Sequence, residues 1–316
     1  MAINENTAPL ETYDMVIVGG GPGGLTAGLY AARDKQDVIM LEKLSPGGQV
    51  LSTDWVENYS GFPDGIGGFD LMERMQKQAE KFGLKILSHE VSGVDFTGAE
   101  KILKLNTGSI AARSVILATG AQPRKLGIEG EGLLTGKGVS YCGTCDGPFY
   151  RDAVVAVIGG GDTALEEAIF LTRFAREVHV IHRRDQLRGT KILQERAFAN
   201  EKIRFIWDTL PVRIEGLTGV ERLCLKNVKT GEESVLQAEG VFIFVGTRPV
   251  TEFLNQAVDL DDQGFIKVNR KQETSNPGVF AAGDVTSGSF RQIASAVGDG
   301  ASAALNAEKY LEALHH

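Results

Sequence analysis

Val157-Ile158-Gly159-Gly160-Gly161-Asp162-Thr163-Ala164 is an apolar run that ends in a glycine turn, and Tyr141-Cys142-Gly143-Thr144-Cys145-Asp146-Gly147-Pro148 stands just before it. Helical spacing continues from the turn to Phe174, and Glu177 to Ile181 reads as a second strand. Strand, Gly159-x-Gly161-x-x-Ala164 and helix together predict a β-α-β unit whose helix N-terminus holds a pyrophosphate. The cysteines are two residues apart, a spacing that serves a redox pair, half of a zinc site, or two unrelated buried thiols. Zinc normally needs four ligands, and the remaining pool is Cys224, His89, His179, His182, His315 and His316. In the redox reading a carboxylic acid beside the thiolate carries the proton, and Asp146 is the candidate; otherwise it is a turn residue ahead of Gly147-Pro148.

At the end of the second strand stand His182-Arg183-Arg184, with Arg188 one turn further on. Guanidinium groups bind a ribose 2′-phosphate bidentately, where a carboxylate would repel it. Charge-assisted hydrogen bonds contribute roughly 1.5–3 kcal/mol each, so two such arginines would favour NADPH over NADH by about a hundredfold or more. The alternative is a solvated basic turn.

The same plan appears near the N-terminus. Met15-Val16-Ile17-Val18 leads into Gly19-x-Gly21-x-x-Gly24, helical spacing runs from Leu25 to Arg33, and Val38-Ile39-Met40-Leu41 ends in Glu42. Glu42 lies 18 residues beyond Gly24, where a carboxylate accepts hydrogen bonds from an adenosine ribose. Loops around Gly48-Gln49 and Asn58 follow, then an amphipathic helix from Asp70 to Phe82. Alternation between Lys85 and Val115 predicts a small antiparallel excursion. Val115 to Leu117 reads as a buried strand leading to Ala118-Thr119-Gly120.

Ala121-Gln122-Pro123 and Gly246-Thr247-Arg248-Pro249 each place a Gly and Pro pair after an apolar strand and read as linkers. Between them Cys224 sits in an alternating strand, as a buried structural thiol. After the second linker, an apolar strand ends at Gly283-Asp284, and a helix from Ile293 to Leu311 is opened by Ser289-Phe290-Arg291-Gln292. Asp284 is placed to hydrogen-bond a polyol chain, or is an ordinary turn residue.

A chain of 316 residues is long enough for two domains. The net charge of −8, with both signs mixed, argues against nucleic acid or anionic lipid as the main partner. Three cysteines are too few for a secreted disulfide scaffold. Met1 to Glu11 is polar, without the layout of a signal peptide, and no apolar run is long enough for a membrane helix. A soluble, intracellular protein is expected, and the closing His315-His316 carries no weight.

Taken together, the motifs resemble those of low-molecular-weight, bacterial-type thioredoxin reductases, flavoenzymes of the disulfide reductase superfamily. The resemblance covers essentially the whole chain, and the position of Cys142-x-x-Cys145-Asp146 ahead of the second glycine loop is its specific part. It implies an α/β fold of two Rossmann-like three-layer dinucleotide-binding domains. The FAD domain would comprise residues 1–120 and 250–316, with the NADPH domain, residues 121–249, inserted into it. FAD would be lined by Gly19, Gly21, Pro22 and Gly24 with Glu42, Gly48, Gln49 and Asn58. Ala118, Thr119, Gly120, Gly283, Asp284, Arg291, Gln292 and Ile293 would complete that site. NADPH would be held by Gly159, Gly161, Asp162, Thr163 and Ala164, with His182, Arg183, Arg184 and Arg188. Cys145 would face the flavin, Cys142 would attack the partner disulfide, and Asp146 would be the acid. Gly143 departs from the alanine common in the family.

The implied activity passes electrons from NADPH through FAD and the Cys142–Cys145 dithiol to oxidised thioredoxin, in a cytoplasmic homodimer. Dithiol and NADPH would share one domain and take turns at the flavin by rotation about the linkers. A reductase of another thioredoxin-like or peroxiredoxin partner, a flavin dithiol oxidase, and a non-enzymatic nucleotide sensor are the alternatives. Only about eleven residues stand ahead of the first strand, so the extra N-terminal domain typical of the peroxiredoxin-linked enzymes is not expected.

Overall fold

The computed structural model describes residues 10–53 and 55–314. The expectations for Met1–Pro9 and for His315 and His316 lie outside the described residues. In chain order, β1 (Thr12–Val18) leads through the first glycine turn into α1 (Pro22–Arg33) and back to β2 (Val38–Glu42). The helix starts three residues ahead of the expected Leu25, because Gly21 is its N-cap and Pro22 its first residue, where a missing N–H costs nothing. Next come α2 (Gly68–Lys81), β3 (Lys85–Ser88), β4 (Val91–Asp95), β5 (Lys101–Leu105) and β6 (Gly108–Leu117).

After β7 (Ala121–Pro123), the chain builds α3 (Glu131–Leu134), β8 (Val139–Ser140) and α4 (Gly143–Asp146). Then follow β9 (Val154–Gly159), α5 (Asp162–Leu171), β10 (Glu177–Ile181), α6 (Lys191–Phe198) and β11 (Ile203–Ile206). Three antiparallel strands, β12 (Thr209–Glu215), β13 (Arg222–Asn227) and β14 (Glu233–Gln237), precede β15 (Gly240–Phe244). The chain returns through β16 (Thr247–Pro249) and ends in β17 (Val279–Ala281) and α7 (Ile293–Leu314).

Two compact units result: an outer one from both chain ends, up to Gln122 and from Arg248, and an inner one spanning Pro123–Thr247. The segments the sequence marks as linkers, β7 and β16, pair with each other.

The outer unit has a seven-stranded sheet in the order β3-β2-β1-β6-β5-β4, with β17 also on β6. The first half of β6 pairs antiparallel with β5, and the second half pairs parallel with β17. Here the sequence expectation needs one correction: β3 is not part of an antiparallel excursion but lies parallel to β2. A helical crossover, α2, carries the chain back before β3 starts, and such a connection returns a strand parallel. One face of the sheet packs Met15, Ile17, Met40 and Phe280 against Leu25 and Ala27 of α1 and Ala303 and Ala307 of α7. The other packs Val16, Val18, Leu41 and Leu117 against Leu103, Leu254 and Ile266. Alternate residues of one buried strand thus serve opposite layers.

The inner unit has a five-stranded parallel sheet in the order β11-β10-β9-β15-β8. Val155, Val157 and Phe242 face Leu165 and Ala168 of α5. Ala156, Ile158 and Val241 face Ile214, Leu223 and Leu225 of the antiparallel sheet. Cys224 is on β13, buried and free, as its alternating strand predicts. Helix α5 stops at Leu171, three residues before the expected Phe174, and α7 runs three residues past Leu311.

Candidate active site

In each unit the glycine turn is shaped by what a side chain would strike. A Cβ on Gly19 would stand 2.4 Å from the Ala118 carbonyl oxygen, and one on Gly24 only 1.9 Å from the Gly19 oxygen. These two let strand and helix close on each other. Gly21 differs. Its φ of −73° suits any residue, and nothing lies within 4 Å of the position its Cβ would take. Gly161 repeats this in the inner unit, with φ −93° and the same open space. Both are N-caps of helices without a side-chain cap. A glycine the fold does not need, at the mouth of an uncapped helix, leaves room for a phosphate backbone to approach the free N–H groups. The residues present therefore fit a dinucleotide in each unit.

In the outer unit, Glu42 is half-buried at the end of β2, and its Oε2 accepts the Gly20 N–H at 2.7 Å while Oε1 accepts the Leu44 N–H at 2.9 Å. Gly47 donates to the Gly20 carbonyl at 2.7 Å, bringing the Gly48-Gln49 loop to the turn. Asn58 and Gln292, far apart in sequence, meet through Asn58 Nδ2, which donates to Gln292 Oε1 at 3.0 Å. Thr119 Oγ1 donates to the Val250 carbonyl at 2.7 Å, beside Gly120 in a left-handed conformation with φ +71°. Burial pushes the Asp284 carboxyl above the ordinary carboxylate range, opposed by a hydrogen bond from Ser289 and by the nearby Arg291 charge. Arg291 also lies over the Phe265 ring at 5.2 Å. Ile293 opens α7 and packs with Val50 and Val56. Sequence reasoning missed Asp299, whose Oδ2 accepts the Gly283 N–H at 3.2 Å and whose Oδ1 accepts Gln272 Nε2 at 3.0 Å. This holds the Gly283-Asp284 turn from a helix residue that no local motif marks.

In the inner unit, Arg183, Arg184 and Arg188 are exposed, and among the described residues no carboxylate pairs with them. Asp185, the acid among them, is occupied by Lys229 Nζ at 3.0 Å. The loop is pinned to the glycine turn: the Gly160 carbonyl accepts the Arg188 N–H at 2.7 Å and the Gly189 N–H at 3.1 Å. Asp162 Oδ1 accepts the Thr190 N–H at 2.5 Å, so this first residue of α5 acts on the loop through its side chain. Thr163 is exposed beside it, and Ala164 is buried against the strand.

His182 stands apart from the arginines. It is 4 % exposed, and a Cβ on Gly160 would come 2.3 Å from its ring. Its Nδ1 lies 3.1 Å from the Gly159 carbonyl, which can only accept, so Nδ1 carries the proton. Burial pushes its pKa down, leaving a neutral ring that braces the turn from beneath.

Ahead of that turn, Cys142 and Cys145 form a disulfide. Cys142 is the N-cap of α4, and its Sγ accepts the Cys145 N–H at 3.2 Å. Its own N–H donates to Ser140 Oγ at 3.1 Å, and Thr144 Oγ1 lies 3.4 Å from its sulfur. An N–H aimed at a sulfur stabilises the thiolate once the bond is reduced, which suits Cys142 to attack another disulfide. Asp146 ends α4, half-buried, with its N–H donating to the Cys142 carbonyl at 3.2 Å. Phe149, three residues on, is more than half exposed.

Comparison with known proteins covers both units. A model of the pyridine nucleotide-disulphide oxidoreductase family matches residues 13–300. The thioredoxin reductase of Streptomyces clavuligerus is 47% identical over 307 residues, covering 96% of this chain and 95% of that protein. A bifunctional thioredoxin reductase/thioredoxin of Mycobacterium leprae is 45% identical over 311 residues, covering 97% of this chain and 68% of that protein. Among solved structures, thioredoxin reductase from Streptococcus pyogenes superposes with a TM-score of 0.91 at 46% identity, covering 96% of this chain and all of that one. The disulfide beside a nucleotide-shaped turn and these matches along nearly the whole length agree: the chain belongs to the pyridine nucleotide-disulphide oxidoreductase family, among the thioredoxin reductases of bacterial type, oxidoreductases that depend on a flavin and a pyridine nucleotide.

Proposed function

We propose that this protein reduces the disulfide of a thioredoxin with electrons from NADPH, using FAD in the outer unit and the Cys142–Cys145 pair of the inner one. The observation that carries the reading is the placement of that disulfide, with Cys142 Sγ accepting a backbone N–H, in the same unit as a glycine turn pinned at Arg188 to a loop of three arginines that, among the described residues, have no carboxylate partners. The named fusion of a reductase with thioredoxin in the M. leprae relative favours thioredoxin as acceptor.

When bound, the two dinucleotides supply the two-electron chemistry. The chain's residues do the rest. Gly19, Gly21, Pro22 and Gly24 receive the FAD pyrophosphate, and Glu42 offers its remaining lone pairs to the ribose. Asp284, held by Ser289, and the Asn58–Gln292 pair fix the remainder, along with Gly48, Gln49, Ala118, Thr119, Gly120, Gly283, Arg291 and Ile293. Gly159, Gly161, Thr163 and Ala164 admit the second pyrophosphate. Arg183, Arg184 and Arg188 take the 2′-phosphate, while His182 and Asp162 hold the loops that carry them. Cys142 attacks the partner disulfide, Cys145 resolves the mixed disulfide, and Asp146 moves the proton. Residues 1–120 and 250–316 would thus serve FAD and residues 121–249 NADPH. Because dithiol and NADPH belong to one unit, they take turns by rotation about β7 and β16.

The deciding assay follows absorbance of NADPH and of NADH with oxidised thioredoxin and with a glutaredoxin. Turnover with NADPH and thioredoxin supports the reading. Oxygen uptake with a dithiol and no NADPH requirement would replace it with a dithiol oxidase, and an engineered cross-link between the units that left turnover intact would remove the rotation. Family resemblance adds a cytoplasmic homodimer, which sedimentation equilibrium tests; among the described residues no helix is long and apolar enough to cross a membrane.

A further inference from the structure

Helix α5 carries a carboxylate that no nucleotide role uses. Glu167 follows Ala164 by three residues and precedes Leu171 by four, both fully buried, so it shares their inward face. Its side chain reaches the disulfide turn: a Cβ on Gly143, between the cysteines, would stand 2.2 Å from Oε2. The Thr144 backbone also bonds to the carboxyl. Oε2 itself is buried and has no hydrogen-bond partner among the described residues. A buried carboxylate oxygen without a partner is costly, and protonation is the usual relief.

Burial, then the neighbouring Glu166 charge, push the Glu167 pKa up to about 7, with the Thr144 bond opposing them. Among the described residues no cation offsets this. Of the elements packed on α5, β9 and β15 carry no charged side chain. On β10, His179 and Glu177 lie 3.6 Å apart, and neither they nor Lys191, Glu195 and Arg196 of α6 act on Glu167. From α4, Asp146 is not among the charges that act on it, and the contacts there are with Gly143 and the Thr144 backbone.

We propose that Glu167 is a positioning residue for the dithiol: packed on Gly143 and bonded to Thr144, it sets the Cys142-to-Cys145 turn, and its proton keeps a second negative charge away from the Cys142 thiolate. The proposal rests on the reading of Cys142–Cys145 as the redox pair. In the half-reaction, Cys142 loses its proton and attacks, a bond forms to the partner sulfur, and the partner's disulfide breaks, its leaving sulfur taking a proton. Cys145 then attacks Cys142, restoring the disulfide and releasing the second partner thiol. Two electrons and two protons leave the dithiol, and the pyridine nucleotide restores the electrons. Glu167 stays covalently uninvolved. Protonated, it leaves the thiolate unopposed; ionised, it raises the cost of forming it.

The test needs neither flavin nor turnover. Protein reduced with a phosphine is alkylated with iodoacetamide across pH 5–10, and Cys142 modification is followed by mass spectrometry. The wild type is expected to show two steps, the lower near pH 7. Glu167→Gln, which keeps the size and the acceptor for the Thr144 N–H, is expected to show one step and a rate at pH 8 roughly three- to tenfold higher. Superimposable profiles overturn the proposal. Glu167→Asp, which keeps the ionisation, is expected to retain both steps, and a single step there overturns it too. Failure of the functional reading is seen separately, as wild-type dithiol that does not reduce thioredoxin.

Discussion

The Glu42 carboxylate accepts the Gly20 N–H at 2.7 Å, so the acid that ends β2 grips the first glycine turn with one oxygen. In the inner unit the equivalent strand end holds its turn with the opposite polarity, the His182 ring donating to the Gly159 carbonyl. The two turns have one shape and two chemistries.

Removing Glu42 takes away a charged acceptor from the loop and, in its proposed role, from the ribose. Glu42→Ala is expected to weaken FAD binding about tenfold to a hundredfold, from roughly 1.5–3 kcal/mol per charge-assisted bond, and Glu42→Gln by less. Fluorescence titration of flavin into the stripped protein measures it, and an unchanged dissociation constant would contradict the assignment.

With the guanidinium in its proposed role at the 2′-phosphate, Arg188→Ala is expected to raise the KM for NADPH about tenfold and leave that for NADH nearly unchanged. His182→Ala acts through the turn and should weaken both nucleotides together. Steady-state kinetics with the two cofactors separates these patterns.

Two glycine substitutions should diverge. Gly161→Ala meets open space and ordinary backbone angles, so stability should change by less than about 0.5 kcal/mol while NADPH affinity falls. A Cβ on Gly300 of α7 would stand 2.1 Å from the Gly23 oxygen of α1, and Gly300→Ala should cost the outer unit roughly 1–3 kcal/mol or more. Urea unfolding and nucleotide titration of both variants make the comparison.

Stability should carry the signature of Glu167. Its folded pKa of about 7 lies above the ordinary 4.5, so the folded protein binds this proton more tightly than the unfolded chain between those values. The contribution is full below about pH 4.5, falls as pH rises through 7, and amounts to on the order of 3 kcal/mol. Glu167→Gln lacks it. Unfolding midpoints at pH 5 and pH 8 should show a larger loss for the wild type than for the variant.

Much of this is legible in the sequence because the central strands β1, β2, β9 and β15 are buried on both faces and so read as continuous apolar runs. Val16 to Val18 and Val155 to Ile158 are recognisable without their neighbours, and the glycine turns and the cysteine pair are local patterns. What escaped depends on contacts between distant segments. The direction of β3 is set by its pairing with β2, which alternation cannot show. His182 reads as a polar residue before two arginines, yet the room beneath Gly160 draws it inward. Asp299 carries no local mark. Glu167 was within reach, since its spacing from Ala164 and Leu171 puts it on the buried face, but its contact with Gly143 was not.

Where the outer unit is interrupted, its severed ends already touch: the Val250 N–H donates to the Gly120 carbonyl at 3.1 Å. The insertion is topologically silent for its host. A tight hairpin in place of residues 123–247 would give an unbroken strand pair without rebuilding either side, and the excised piece would keep its own sheet with both apolar layers. One polypeptide thus holds two heritable modules that a single deletion could part.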